Sequence, residues 1–423
     1  MDADVVVVGA GLAGLRSAGA LTARGFSVVV LEQGDRPGGR VRTDVVDGLR
    51  CDRGFQLLNP SYPAVRRHVD VDDLDLQVAG RGVRVVDSSG RPHTLADPVR
   101  HLDQLPATLR ATASLRLLRP GPLAGVVRWA SPAVGPVGRL KAAPDASLAE
   151  DWARLGVGGA VRGAVLAPFL AGVLGDSAGT TSDRYVRLVL RSFLLATPGV
   201  PAEGMQALSD QLARRSGADL RYRRRVVGID DGPTVTVHVA DDDPVRARAV
   251  VLAADPVGAA RLTGRRAPAM RGLSTWWFAS DEPVGTVGRR PDRFLRISGS
   301  GGPVVNTAVM SAIAPRYAPP GTTLVQGTTL LDGSGPVGDD VVRAELARLW
   351  GRGTHQWRLV VRHDVPHALP DHPAGQTLAR PQLAGERIVL AGDHLDTPSI
   401  QGALVSGGRA AATVARMLDQ HVD

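Results

Sequence analysis

The sequence predicts an α/β fold: a Rossmann-like domain with a doubly wound parallel sheet, and an inserted α+β domain with a mainly antiparallel sheet. Three observations predict it. The stretch VVVVGAGLAGL joins a strand to a glycine-rich turn, short strands of the same kind return late in the chain, and two long inserts of different character lie between them. The length of 423 residues leaves room for two or three domains.

The first element is a strand of four valines from Val5, a run typical of strands that are buried on both faces. Gly9, Gly11 and Gly14 follow in the spacing G-x-G-x-x-G. In such turns the first glycine allows the sharp bend, the second lets backbone amides approach a pyrophosphate, and the third lets the next helix lie close to the sheet. The stretch therefore predicts a nucleotide site at the end of this strand.

The next elements are a helix and a second strand. The helix is expected from about Leu12 to Arg24, with Gly25 just past its C-terminus, and SVVVLE forms the strand. This strand ends at Glu32, where a carboxylate accepts hydrogen bonds from a ribose diol and repels a 2′-phosphate. Glu32 thus favours NAD or FAD over NADP.

The rest of the chain divides into nucleotide-binding and inserted parts. Further strand-like runs are VVGIDDGPTVTVHVA, ARAVVLAADP and ERIVLAGDH, and QGALVSGGRAAATVARML is a helix candidate. Helical patterns broken at prolines dominate the first insert, and the second alternates like antiparallel strands. The predicted nucleotide-binding domain comprises 1–80, 199–266 and 351–423, and the predicted substrate-binding domain comprises 81–198 and 267–350.

Charge and cysteine content narrow the classes of function. The net charge is +8, but Lys141 is the only lysine, so the charge reflects an arginine bias and we expect no nucleic-acid partner. Cys51 is the only cysteine, which leaves no internal disulfide and no cysteine metal cluster. Because a strand begins by Val5 and no long apolar run follows, we expect a cytoplasmic protein.

One segment of the first insert has an unusual composition. LPATLRATASLRLLRPGPLAG, from Leu105, combines leucines with arginines and then breaks at a proline. Such a stretch either makes a peripheral contact with a membrane surface or simply covers the domain.

A second glycine motif follows Glu32. RPGGRVRT, from Arg36 to Thr43, places two glycines before Arg40 and resembles the second FAD motif of the flavin-containing amine oxidase and phytoene desaturase superfamily, which includes protoporphyrinogen oxidase-like proteins. Further matches are CDRGFQLL, PAEGMQAL, RVVGI, HALP and AGDHLDTPSIQGALVSG. The resemblance implies an FAD-dependent oxidoreductase. It also implies noncovalent FAD, because cysteinyl attachment in this superfamily lies near the C-terminal motif, where this chain has no cysteine.

The resemblance assigns residues to FAD. Arg40 would contact the pyrophosphate, Val226 would offer backbone hydrogen bonds to the adenine, and Asp393 would accept one from a ribityl hydroxyl. Residues 398–403 would open the last helix under the flavin pyrimidine, where the helix dipole stabilises negative charge on the reduced ring. The full predicted set is Gly9, Ala10, Gly11, Leu12, Ala13, Gly14, Glu32, Gln33, Gly38, Gly39, Arg40, Gly54, Phe55, Gln56, Leu57, Val226, Ala254, Gly392, Asp393, Ser399, Ile400, Gln401 and Ala403.

No motif identifies a catalytic base. His367 heads an ALP element that lies close to the flavin in the family, and His394 and Asp396 follow the C-terminal motif, so these three are candidate polar groups of the substrate cleft. The prolines of RHDVPHALPDHP prevent its histidines from sharing a helix face, so we expect no metal site. Glu203, in PAEGM, is either exposed, which we favour, or directed toward the cleft.

Two chemistries compete within the superfamily: oxidation of an amine, and dehydrogenation of carbon in an apolar substrate. Monoamine-type oxidases usually have a tyrosine where this chain has Ser399, and they commonly use a lysine that holds a water at flavin N5, whereas Lys141 lies in a Pro/Gly-rich part of the first insert. We therefore favour hydride transfer from a carbon of a small, lipophilic substrate to N5. The sequence leaves the electron acceptor open, and O₂ and a quinone are candidates. An amine or amino-acid oxidase, a non-redox flavin-dependent isomerase and a flavin-binding protein without turnover remain alternatives.

Trp276, Trp277 and Phe278 form the densest aromatic cluster in a chain with only 4% aromatic residues. Core packing is the favoured interpretation. The position in the second insert also suits the wall of an apolar substrate pocket.

Overall fold

The computed structural model describes residues 1–287, 290–331, 333, 335 and 337–420. Two seven-stranded sheets organise this part of the chain. One sheet is mainly parallel and carries the glycine-rich turn, and the other is mainly antiparallel and is formed largely by the inserts. The predicted fold class is confirmed.

The first sheet has a parallel centre and an antiparallel edge. The valines at positions 5, 6 and 7 have no exposed surface, as expected of a strand that is covered on both faces. The strand order is Val226–Asp230, Val235–Val239, Val245–Leu252, Ala3–Val8, Val28–Leu31 and Asp219–Arg221, and Ile388–Leu390 also pairs with Val245–Leu252.

Two helices of small residues cover one face of this sheet. Helix Leu12–Thr22 follows the glycine turn, and its end is two residues earlier than predicted. It lies against the C-terminal helix Ile400–Asp419, where the Ser17 hydroxyl donates to the carbonyl of Gly407 at 2.9 Å. A Cβ at Gly407 would overlap the carbonyl oxygen of Ala13, so this approach requires glycine.

The second sheet draws on more of the chain than predicted. Strand Arg358–Pro370 lies in the predicted nucleotide-binding segment 351–423, yet it pairs along Met270–Ser280. Its thirteen residues pair with that strand from Met270 to Ala279, so this edge of the second sheet comes from the C-terminal part of the chain. The remaining limits of the two domains stay a prediction. The strand order is Arg358–Pro370, Met270–Ser280, Thr323–Leu331, Val304–Val309, Leu295–Ser298, Gly82–Val86 and Pro92–Ala96.

Three short two-stranded pairs and further helices lie outside the two large sheets. The two-stranded pairs are Thr43–Val46 with Leu49–Asp52, Leu76–Val78 with Gly199–Pro201, and Thr286–Val287 with Arg290–Pro291. The other α-helices are Pro63–His68, Leu105–Ser114, Pro120–Ala130, Val137–Ala142, Leu148–Leu155, Ala167–Leu174, Asp183–Leu195, Gln206–Ser216, Pro256–Thr263, Met310–Ile313 and Asp339–Trp350. Within the described residues, no helix has the length and apolar character needed to cross a bilayer.

Candidate functional site

The glycine-rich turn ends strand Ala3–Val8 and leaves space for a ligand. Gly9 has φ +102°, and a Cβ at Gly14 would overlap the carbonyl oxygen of Gly9. Both glycines are therefore required by the fold itself. Gly11 differs, because apart from its chain neighbours no described atom lies within 4 Å of the position of a Cβ there. The space beside Gly11 is open to a pyrophosphate.

The second glycine motif packs on the first. Gly38 donates its backbone N–H to the carbonyl of Ala10 at 2.9 Å, and Gly38 and Gly11 form a parallel bridge. Gly39 has φ +61°, and a Cβ there would lie 3.6 Å from the Cα of Gly11. The two motifs, predicted separately, thus form one cradle.

Glu32 holds this cradle to the second strand. Its Oε2 accepts from the backbone N–H of Ala10 at 2.7 Å, and its Oε1 accepts from that of Gly34 at 2.7 Å. A carboxylate has about four acceptor sites, so lone pairs remain for a ribose diol. The neighbouring Gln33 is exposed.

Arg40 and Asp393, predicted to hold different parts of FAD, are partners of each other. Their two bonds measure 2.9 Å (NH1 to Oδ2) and 2.5 Å (NH2 to Oδ1), and Arg40 NH1 also donates to the carbonyl of Ala368 at 2.9 Å. Burial disfavours the guanidinium charge, but the Asp393 carboxylate outweighs it and raises the pKa of Arg40. This bidentate pair fixes the second glycine motif to the C-terminal motif.

The predicted flavin loop, residues 54–57, runs between the two sheets. Gly54 has φ +87° and donates its N–H to Thr275 Oγ1 at 3.3 Å. Gln56 Nε2 donates to the carbonyl of Arg40 at 2.8 Å, which directs the amide toward the cradle. Its Oε1 is buried and accepts no hydrogen bond from the described chain, so it can accept one from a bound group.

The C-terminal helix begins where predicted. Ser399 Oγ accepts from the backbone N–H of Gly402 at 3.1 Å and caps helix Ile400–Asp419. Gln401 Oε1 accepts from the backbone N–H of Ala64 at 2.9 Å, so this side chain anchors a neighbouring helix. The N-terminus of a 20-residue helix is thus presented at the site, with its positive dipole end toward any bound group.

Two other predicted residues, Ala254 and Val226, lie on the first sheet or directly after one of its strands. Ala254 follows strand Val245–Leu252, the parallel neighbour of Ala3–Val8, and precedes a helix capped by Asp255. Val226 starts the antiparallel edge strand and pairs with Val239. Their contacts with FAD stay predictions.

The three candidate catalytic residues have different environments. His367 is exposed on strand Arg358–Pro370. His394 is buried, its Nδ1 accepts no hydrogen bond within the described chain, and burial lowers its pKa to about 4. Burial raises the pKa of Asp396, opposed by the Thr397 amide and the charges of Arg409 and Lys141. His394 is therefore neutral at pH 7, and only His394 and Asp396 lie beside Asp393.

All three side chains of the aromatic cluster are buried, which agrees with the favoured interpretation of core packing. Side chains alternate along strand Met270–Ser280, so Trp276 and Phe278 share a face that is covered by helix Asp339–Trp350. Trp277 lies on the opposite face, where its indole N–H donates to the carbonyl of Asp52 at 3.2 Å. Only Trp277 faces the nucleotide-binding side.

Sequence reasoning missed Tyr185. This buried side chain donates its hydroxyl to the carbonyl of Pro398 at 2.9 Å, and its ring centroid lies 5.3 Å from that of His372. It therefore supports the turn before the C-terminal helix. The donor and acceptor are 213 positions apart, so no local pattern signals the contact.

Two further predictions concern the position of Glu203 and a metal site. Glu203 is exposed and pairs with Arg50 and Arg316 at a surface cavity of about 610 Å³. Across the described ranges, no three His, Cys, Asp or Glu side chains are placed to hold a metal ion together.

Asp52 links the flavin loop to the second sheet and gives a stability prediction. It is buried and accepts from Thr43 Oγ1, the Met205 amide and the Tyr317 hydroxyl, the last at 2.7 Å. Burial raises its pKa to about 6, although these three donors oppose the shift. Because the folded pKa is above the unfolded one, Asp52 stabilises the fold below about pH 4, and this contribution is lost as the pH rises through about 6.

The contribution amounts to about 3 kcal/mol. We expect the free energy of unfolding of the natural protein to fall by about 2 kcal/mol more between pH 4 and pH 7 than that of Asp52→Asn. Denaturant titrations at both pH values, with the same excess of FAD, measure the difference. Parallel pH profiles for the two proteins would show that Asp52 titrates normally.

Comparison with known proteins identifies the family to which this chain belongs. The profile of the family described as flavin containing amine oxidoreductase matches residues 12–415. The chain belongs to this family. It is accordingly a flavin-dependent oxidoreductase, and of the two nucleotides that Glu32 leaves open the family favours FAD.

Individual relatives span the two chemistries of the superfamily. Putrescine oxidase from Kocuria rosea is 30% identical over 292 residues, which are 60% of this chain and 57% of the relative. Hydroxyneurosporene desaturase from Rubrivivax gelatinosus is 52% identical over 50 residues, 12% of this chain and 10% of the relative. These alignments span less than two thirds of either relative. An oxidoreductase from Methanosarcina mazei has the same fold, with a TM-score of 0.72 at 16% identity over 97% of this chain and 99% of that one.

The residues of this flavin oxidoreductase fit FAD. Gly11 leaves open space, Glu32 retains acceptor sites, and the free Oε1 of Gln56 lies near the cradle. A helix N-terminus completes a site for a group that carries a pyrophosphate and an anionic reduced ring.

Proposed function

We propose that this enzyme oxidises a small, lipophilic substrate at carbon and that it holds FAD noncovalently. When bound, FAD supplies an oxidised isoalloxazine that accepts hydride at N5. The chain would provide the cradle of the two glycine motifs, the anchoring pair Arg40 and Asp393, and the helix dipole at Ser399. Cys51 is buried in a hairpin, and burial raises the pKa of its thiol, which supports noncovalent attachment.

The observation that carries the proposal is the role of Ser399. Where monoamine-type oxidases usually place an aromatic cage residue, this chain has a serine whose hydroxyl caps the last helix. A serine offers no π face to a cationic amine.

A second candidate, oxidation of an amine, rests on a different observation. Thr275, Thr328 and Asn306 are neighbours across the second sheet, on the face that Thr275 directs at Gly54. Gln326 lies two residues before Thr328 and shares this face. The amide oxygens of Asn306 and Gln326 are buried and accept no hydrogen bond from the described residues, so they suit a substrate N–H or O–H. The similarity to putrescine oxidase points the same way.

Anaerobic mixing decides between the two. The FAD-loaded enzyme is mixed with primary amines, amino acids and polyenes, and bleaching of the oxidised flavin absorbance is followed. We expect bleaching by an apolar carbon substrate and none by simple primary amines. Rapid bleaching by an amine alone would overturn the proposal in favour of the second candidate.

A non-redox isomerase is distinguished by the electron acceptor. We expect turnover to consume O₂ or a quinone in proportion to the product formed. Product formation without net consumption of an acceptor would assign the enzyme to isomerisation.

A further inference from the structure

One stretch of the first insert, residues 99–141, exposes many large hydrophobic side chains to solvent. Half of the large hydrophobic side chains that the described chain exposes lie within it, with exposed fractions from 37% to 83%. Monomeric soluble proteins rarely cluster apolar surface in this way, and such clusters mark interaction sites. These side chains are Val99, Leu102, Leu105, Leu109, Leu118, Leu123, Val127, Val134 and Val137.

Val99 and Leu118 lie in turns, and the other exposed residues lie on successive helices or helical turns. Leu105 and Leu109 are one turn apart on helix Leu105–Ser114, which is fixed to the second sheet where Thr108 Oγ1 accepts from the Ala96 amide at 3.2 Å. Side chains four residues apart share a helix face. The apolar positions therefore face away from the protein as a set.

Helix Pro120–Ala130 repeats the pattern. Leu123 and Val127 are exposed one turn apart. Gly125 and Trp129 are buried on its other side, where the Trp129 indole donates to Asp183 at 2.6 Å. The inner face is already packed, so the outer leucine and valine have no packing role in the described fold.

The charges of the same stretch are almost all positive. Asp103 is its only acidic residue. Seven exposed cations accompany it, and no ion pair involves any of them within the described chain: Arg100, Arg110, Arg116, Arg119, Arg128, Arg139 and Lys141. Elsewhere arginines are commonly paired with carboxylates, as Arg187 is with both Asp151 and Asp183.

Apolar side chains interspersed with unpaired cations match the interface of an anionic bilayer. Leucine and valine insert at the level of the headgroups, and each nearby cation gains from the negative surface potential. A partner protein would need an equally extended apolar and acidic face, whereas an anionic lipid surface supplies both properties everywhere. We propose that residues 99–141 dock this enzyme on the surface of anionic phospholipid membranes.

The docking surface, residues 99–141, ends close to the turn that precedes helix Ile400–Asp419. Lys141 acts electrostatically on Asp396, which lies just before the helix cap at Ser399. Asp145, four residues further on, binds the hydroxyl of Ser182 at 2.8 Å and the amide of Gly375 at 3.0 Å. A membrane-bound enzyme would thus hold this side of its site near the lipid, which suits a lipophilic substrate but does not depend on one.

Vesicle flotation of the FAD-loaded enzyme tests the proposal. We expect it to float with phosphatidylcholine vesicles that contain phosphatidylglycerol, to bind pure phosphatidylcholine weakly, and to be released by salt. Leu109→Glu with Val127→Glu should lower the bound fraction at least ten-fold. Arg119→Gln and Arg139→Gln should each weaken binding about five-fold. Val341→Glu, on an exposed helical valine outside the stretch, is the matched control and should bind like the natural protein.

Flavin absorbance and thermal unfolding show that each variant is folded, and light scattering measures its oligomeric state. No flotation with anionic vesicles, or equal flotation of the Leu109/Val127 variant and the control, would overturn the proposal. The proposal would also be overturned if the protein formed a soluble dimer that does not bind vesicles and if the Leu109/Val127 substitutions abolished that dimer. The surface would then join two copies of the chain. None of these readouts requires turnover, so the outcome is independent of the proposed reaction.

Discussion

Replacing Gly14 by alanine is expected to destabilise the nucleotide-binding sheet severely, whereas Gly11→Ala should fold normally and lose FAD. A Cβ at position 14 would overlap the carbonyl oxygen of Gly9, a backbone atom that cannot move aside. Overpacking costs about 1–3 kcal/mol even where side chains can adjust. At Gly11 the backbone has φ −74°, which alanine adopts readily, and a Cβ would occupy only the open space of the cradle.

Thermal unfolding followed by circular dichroism, with titration of FAD into the apoprotein, separates the two effects. We expect Gly14→Ala to lower the unfolding temperature and Gly11→Ala to keep it. Gly11→Ala should weaken FAD binding roughly 10- to 100-fold, because the methyl group competes with the pyrophosphate for space. Natural affinity in Gly11→Ala would mean that the pyrophosphate does not pass this turn.

Arg40→Ala is the second change with a large expected effect. It leaves the carboxylate of Asp393, which is only 4% exposed, without its bidentate partner. Removal of one member of a buried ion pair costs about 3–5 kcal/mol. We expect the free energy of unfolding to fall by that order and FAD retention on gel filtration to fall with it.

A double-mutant cycle separates the pair from the ligand contacts. Asp393→Asn should be nearly as damaging as Arg40→Ala, and the double variant should lose less than the sum of the two. Arg42, which pairs with the exposed Asp35, gives the matched control: Arg42→Ala should cost less than about 1 kcal/mol. Additive losses at Arg40 and Asp393 would show that each residue acts alone.

Local motifs could be predicted because their function depends on a few consecutive residues. The roles of Gly9, Gly11 and Gly14 follow from the turn that they form. The role of Glu32 follows from its position at the end of a strand. The start of the last helix was predicted for the same reason, since Ser399 caps the backbone three residues ahead.

Long-range pairings escaped prediction because they depend on how the two sheets meet. Nothing near Arg40 in the sequence identifies Asp393 as its partner, and the support of Pro398 by Tyr185 is equally remote. Side chains alternate along Met270–Ser280, so Trp277 lies on the face of the strand opposite to Trp276 and Phe278. Only tertiary packing decides which of the two faces is directed at the nucleotide-binding domain. The pairing of Arg358–Pro370 with the second sheet depends on the same long-range packing, which no local pattern in residues 351–423 signals.

The flavin content of the purified protein tests the account most directly. The absorbance spectrum is recorded, the protein is precipitated with acid, and the flavin in supernatant and pellet is quantified and identified chromatographically. We expect a yellow protein with equimolar FAD, all of it released to the supernatant, because Glu32 and the pair of Arg40 and Asp393 would hold a noncovalent group. Flavin that stays in the pellet would contradict noncovalent attachment. A protein that binds no FAD even after reconstitution would contradict the central claim.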